Sequence, residues 1–127
     1  MSKKRSFTIL DDCVSIEFLE QFGVNTDYEI IRLIEPILGI DLDLENESIY
    51  SYIENLRFEI LDDINFEFQC LGFESEPFID GFGREFGCFV FEDLPLVETR
   101  KWCIQIVRKE AYRKIDFRTL SKMLKSI

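Results

Sequence analysis

Histidine is absent from the 127-residue chain. That removes the commonest general base, the serine and cysteine triads that rely on one, and the mixed Cys/His zinc sites. No run of about 18 apolar residues is present either, so no segment is expected to cross a bilayer as a helix. The start Met1-Ser2-Lys3-Lys4-Arg5 is basic, but Asp11, Asp12, Glu17 and Glu20 interrupt the apolar residues behind it and no small-residue cleavage site appears. A secretory leader is therefore not expected, and the chain is placed in the cytoplasm. The four cysteines, Cys13, Cys70, Cys88 and Cys103, are far apart, form no Cys-x-x-Cys pair and sit among apolar neighbours. They read as reduced, buried, inert thiols, with a disulfide or a four-thiolate site as the alternative.

What the chain does have is phenylalanine and acid. Thirteen Phe and 46% apolar residues give it a substantial core, and its length suits a single domain over 1–127. Charge is unevenly placed. Between Asp11 and Glu98, 23 carboxylates face only Arg32, Arg57 and Arg84, a balance of −20. From Thr99 to Ile127 the sign reverses to +7, and with Lys3, Lys4 and Arg5 the total is −10. A field of that sign attracts basic proteins and repels nucleic acid and anionic membranes. The plainer reading of the same charge is solubility for a Phe-rich domain.

Along the chain, Ser6–Leu10 alternates like a short strand. Asp11 and Asp12 are N-cap residues for a helix over Asp12–Phe22, which Gly23 ends. Asp27 is the expected cap of a second helix carrying Ile30, Ile31, Leu33, Ile34, Ile37 and Leu38; Pro36 kinks it or ends it near Glu35, and Gly39 closes it. Asp41 to Glu47 reads as an acidic linker. Ile49, Tyr52, Ile53 and Leu56 begin a third helix, whose extent competes with a hairpin turning at Asp62-Asp63, because Leu56, Phe58, Ile60 and Ile64, Phe66, Phe68 also alternate. Gly72 to Gly87 reads as a loop or irregular hairpin turning at Asp80-Gly81. Phe86–Phe91 and Lys101–Arg108, rich in aromatic and β-branched residues, are expected to be paired strands. Asp116 caps a last helix with Phe117, Leu120, Met123, Leu124 and Ile127 inward and Arg118, Lys122 and Lys125 outward. The fold class is α+β: N-terminal helices packed on a C-terminal antiparallel sheet, with a final C-terminal helix. No internal repeat or low-complexity segment appears.

Chemistry-bearing motifs are weak. Among 25 acidic residues some carboxylate pair always looks suggestive, so a glycosidase-like site carries little weight. Asp41-Leu42-Asp43-Leu44-Glu45 opens like a calcium loop, but Asn46 and Tyr52 stand where an EF-hand needs Gly and a bidentate Glu. Gly81-Phe82-Gly83 is flanked by Glu74, Glu76, Asp80 and Glu85, the wrong sign for a phosphate cradle. No catalytic residue, metal or cofactor is assigned. The basic C-terminal segment reads as an internal complement to the acidic body.

Candidate partner-binding residues are therefore acids with aromatic anchors. Asp41, Asp43, Glu45 and Glu47 form one patch. Asp62, Asp63, Glu74, Glu76, Asp80 and Glu85 form another, with Phe78 and Phe82 as anchors, although the core is the favoured place for those rings. A small, acidic, single-domain α+β chain without an enzyme motif resembles the immunity proteins of bacterial toxin systems, including those of contact-dependent growth inhibition. The resemblance lies in size and charge over the whole chain, and no motif carries residues across. It implies a tight partnership with a cognate toxin domain, often a basic nuclease; the acidic charge in turn argues against nucleic acid or a membrane as partner. A DNA-mimic inhibitor of the anti-restriction or anti-CRISPR kind, a carboxylate-based hydrolase and a structural subunit are the alternatives.

Overall fold

The structure, a computed structural model, describes residues 3–10 and 14–126. In order the elements are β1 (Lys4–Leu10), α1 (Val14–Gln21), α2 (Thr26–Leu38), α3 (Glu47–Gln69), β2 (Phe73–Glu74), β3 (Phe78–Ile79), β4 (Glu85–Phe86), β5 (Cys88–Pro95), α4 (Leu96–Lys114) and α5 (Phe117–Lys125). The class is α+β, with two small antiparallel sheets: β1-β5-β2, and the β3-β4 hairpin by itself.

Capping chemistry explains most helix boundaries. The Asn25 side chain, rather than Asp27, caps α2 by accepting from the Tyr28 amide, and Asp27 lies in the first turn, where its carboxylate binds Arg57 at 2.8 Å. Helix α2 runs through Pro36, which removes only one N–H close to the C-terminus, and stops at Gly39 in the left-handed region at φ 67°. Asn46 caps α3 by accepting from Ser48 and Ile49 amides. Asp116 caps α5 through the Thr119 amide, as its sequence implies. Of the expected inward stripe of α5, Leu120 is fully buried, while Ile127 lies outside the described residues, as do Asp11 and Asp12, the expected caps of α1.

One open alternative is decided and a further expectation is overturned. No hairpin turns at Asp62-Asp63: α3 is one 23-residue helix, because Ile49, Ile53, Leu56, Ile60, Ile64 and Phe68 all lie on its buried side. That spacing of three and four fits a helix along its whole length, whereas the alternation is only local. Lys101–Arg108 is not a strand and pairs with nothing in a sheet; it lies within α4. Its β-branched residues are overruled by the buried row Thr99, Cys103, Val107 and Ala111, four residues apart, which seats α4 against α2 and α3. Strand β5 pairs instead with β1, Phe7 opposite Phe91 and Ile9 opposite Phe89.

The core lies between the sheet and the helices. Phe7 and Phe91 from the sheet meet Phe18 and Phe22 of the α1 segment and Phe68 of α3, with Phe18 and Phe68 stacked at 4.7 Å and Phe7 and Phe91 at 5.0 Å. Gly72 is required here, because a Cβ would come within 2.9 Å of the Phe91 ring. Cys103 is buried as expected and Cys88 partly so, but Cys70, just past the end of α3, is exposed, a correction to the expectation of buried thiols.

Candidate docking surfaces

The β3-β4 hairpin carries Asp80 and Glu85 of the second acidic patch, with Glu74 in β2 and Glu76 in the connection that leads into the hairpin. Its turn is organised by Asp80, whose Oδ1 accepts from the Phe82 and Arg84 amides at 2.8 and 3.0 Å and whose Oδ2 accepts from Arg84 Nε at 2.7 Å. The turn spans Asp80 to Arg84 with Gly83 at φ 78°, wider than a two-residue Asp80-Gly81 turn. The Arg84 amide above all, helped by the Phe82 amide and the Arg84 side chain, holds the Asp80 carboxyl below its ordinary range against the upward pull of desolvation. Asp80 is thus committed to shaping the loop. Glu74, Glu76 and Glu85 are exposed, and none of them forms an ion pair among the described residues.

The rings beside these acids are in water. Phe82 is 86% exposed, Phe73 67% and Phe78 50%, and only Phe86 is half-buried. Phe78 packs on Phe86 across the hairpin, and the Arg84 guanidinium lies 5.3 Å from the Phe82 ring centre. Of the two uses open to Phe78 and Phe82, the structure places them outside the core.

Asp62 and Asp63 do not join this group. They stand mid-way along α3, both exposed, and Asp63 is paired with Lys114 of α4. The first patch, Asp41, Asp43, Glu45 and Glu47, occupies the α2–α3 connection and the first residue of α3, all exposed. Asp43 Oδ1 accepts from the Glu45 amide, and the Leu42 amide donates to Glu35, which shapes the loop. A 23-residue helix is about 35 Å long at roughly 1.5 Å per residue, and it separates this loop from the segment that leads into the hairpin. The two acidic patches are therefore two surfaces.

Between them lie aromatic residues that the alternating pattern around Asp62-Asp63 concealed. Phe58, Asp62 and Phe66 form an i, i+4, i+8 row on the outer side of α3, with Phe58 53% and Phe66 71% exposed. A groove of about 510 Å³ between α1 and α3 is lined by Ile16, Leu19, Val24, Phe58 and Leu61 and rimmed by Glu20 and Arg57. The signal for Phe58 and Phe66 was available: once α3 is continuous, both fall opposite Ile53, Leu56, Ile60 and Ile64.

The basic C-terminal segment complements the acidic body in part. Arg108 of α4 binds the buried Glu29 of α2 at 2.9 Å, and Lys114 binds Asp63. Arg113 pairs with Glu110 in its own helix. Arg100, Lys101, Lys109, Arg118, Lys122 and Lys125 form no ion pair among the described residues, so most of the acidic surface keeps its charge. No helix among the described residues is long and apolar enough to cross a membrane. Comparison with protein-family models, with curated proteins and with solved structures finds no match to this chain.

Proposed function

We propose that this protein is a non-catalytic binding protein that neutralises a basic partner, and that it acts in the cytoplasm as the immunity partner of a cationic toxin domain such as a nuclease. The observation that carries this reading is the hairpin. Phe78 and Phe82 stand in water on the hairpin, and the carboxylates of Glu74, Glu76 and Glu85, near them in sequence, are exposed and form no ion pair among the described residues. A nuclease is positive where it holds phosphates, and carboxylates offered to that surface give fast, steered association and charge-assisted bonds to Arg and Lys. Aromatic anchors add the desolvated centre that such contacts need, burial of one ring contributing about 1.5–3 kcal/mol. The α2–α3 loop offers acids without aromatic anchors, so the hairpin is the preferred contact. DNA mimicry is less well supported, because the outer row of α3 sets Phe58 and Phe66 on either side of Asp62 instead of a continuous line of charge.

The test is capture from the native host at low salt, followed by identification of the bound proteins. A basic nuclease released by rising salt, and lost when Glu74, Glu76 and Glu85 are all changed to Lys or when Phe82 is changed to Ala, is the expected result. A partner retained equally by all three forms would sink the hairpin assignment, and a neutral or acidic partner would sink the electrostatic one.

A further inference from the structure

Helices α1 and α3 enclose a trough that shares no residue with the hairpin. The groove of about 510 Å³ lined by Ile16, Leu19, Phe58 and Leu61 runs into a second hollow of about 430 Å³, which shares Ile16, Phe58 and Leu61 with it and continues past Asp62 and Asn65 to Gln69. Together they follow α3 from Arg57 to Gln69, about 18 Å at roughly 1.5 Å per residue, or about three helical turns. Leu19 and Leu61 are buried in it, whereas Ile16 and Phe58 are 43% and 53% exposed.

Shape selects a helix as the occupant. The walls are themselves α-helices, whose interior N–H and C=O groups are bonded within each helix, so an extended segment laid along them would leave its own backbone unpaired. A helix satisfies its own backbone and presents side chains at i, i+3, i+4 and i+7, the spacing that fills an apolar groove of this length.

Charge selects a basic helix. Glu20 and Asp62 line the trough, and Glu17 lies one turn before Glu20; all three are exposed and form no ion pair among the described residues. Arg57 is the only cation among the lining residues, and its guanidinium is held by Asp27 at 2.8 Å and lies 5.0 Å from the centre of the Phe58 ring. Unpaired carboxylates along an apolar groove attract a segment that carries Lys or Arg beside its apolar residues. A second copy does not supply one. Each chain carries a net charge of −10, and α5, which is basic and amphipathic, has Leu120 of its apolar side fully buried in its own core. We infer that the α1–α3 trough is a second docking surface, which takes a basic amphipathic helix of a partner protein.

Fluorescence anisotropy at physiological salt tests this with a labelled peptide of about fourteen residues, Leu on one helical side and Lys on the other, against a scrambled peptide of the same composition. The amphipathic peptide should bind at least about tenfold more tightly than the scrambled one, and Phe58→Ala should remove about that much. Phe82→Ala, on the hairpin, should bind it as the wild type does. Glu20→Lys with Asp62→Lys should weaken binding about tenfold, and should favour a peptide with Glu in place of Lys by a similar factor. Both acids are exposed, so this exchange decides the matter even where Phe58→Ala disturbs the fold. Equal binding of the two peptides, indifference to the charge exchange, or loss of binding in Phe82→Ala overturns the inference.

Discussion

The cluster beneath the sheet and the β3-β4 hairpin are both built on phenylalanine, with opposite consequences. Phe7, Phe18, Phe22, Phe68 and Phe91 touch one another at centroid separations between 4.7 and 5.9 Å, and the last four are at most 2% exposed. Phe73, Phe78 and Phe82 are half or more in water. Burial of the first set is completed by folding. Burial of the second set is left over for an encounter, and exposed carboxylates lie near it in sequence. One residue type thus supplies stability in one region and contact surface in the other, and the neighbouring charges mark which is which.

The sharpest way to break this comparison is to truncate one ring from each set. Phe68→Ala should cost about 3–5 kcal/mol in chemical denaturation, since it removes a fully buried ring from a close-packed stack. Phe82→Ala should change stability by less than about 0.5 kcal/mol. It should weaken the proposed complex by about 2 kcal/mol or more in calorimetry. Equal stability losses for the two variants would erase the distinction between the regions.

Thiol labelling sharpens the same contrast between inside and outside. Burial pushes the Cys103 thiol up from 9.0 to about 12, whereas Cys70 is exposed. At neutral pH Cys70 should react with a disulfide reagent in the native protein, and Cys103 only on unfolding. Because the folded pKa of Cys103 lies above its unfolded value, its contribution to stability is full below about pH 9 and fades as pH rises toward 12. Rapid native labelling of Cys103 would show that α4 opens easily.

The smallest effect belongs to the hairpin turn. The depressed Asp80 carboxyl favours the folded turn above the ordinary carboxylate pKa, and that preference is lost as pH falls through its lowered value. Protection of the Phe82 and Arg84 amides, measured against the unfolded exchange rate at each pH, should therefore fall under acid while the Phe18–Phe68 region stays protected. Asp116, held low chiefly by the Thr119 amide and hydroxyl, should release the first turn of α5 in the same direction. Simultaneous loss of protection in hairpin and core would mean that the two regions are not separable.

Legibility in the sequence tracked the range of the forces involved. Asp116 as a cap, Gly23 and Gly39 as stops and the hairpin near Asp80 depend on neighbours a few residues away, and each was readable. Asn25 and Asp27 are both cap residues two positions apart, and the local pattern does not choose between them. The β1–β5 pairing joins residues more than eighty positions apart for Phe7 and Phe91, and nothing local announces it. Of the candidate site, the acids were legible as a composition. Their division between a loop, the middle of α3 and a hairpin was not, since it depends on α3 being one helix.

The sequence by itself determined the charge segregation, the absence of imidazole chemistry, the Asp116 cap and a Phe-rich core in an α+β chain. Tertiary structure decided that residues 101–108 are helical, that α3 runs unbroken through Asp62 and Asp63, and which phenylalanines stay in water. Intrinsic strand preferences span only about 1 kcal/mol, whereas burying a single large side chain is worth about 1.5–3 kcal/mol. Where a row of residues four apart can be covered by neighbouring helices, that burial outweighs local preference, and no reading of the local pattern reveals which rows will find cover.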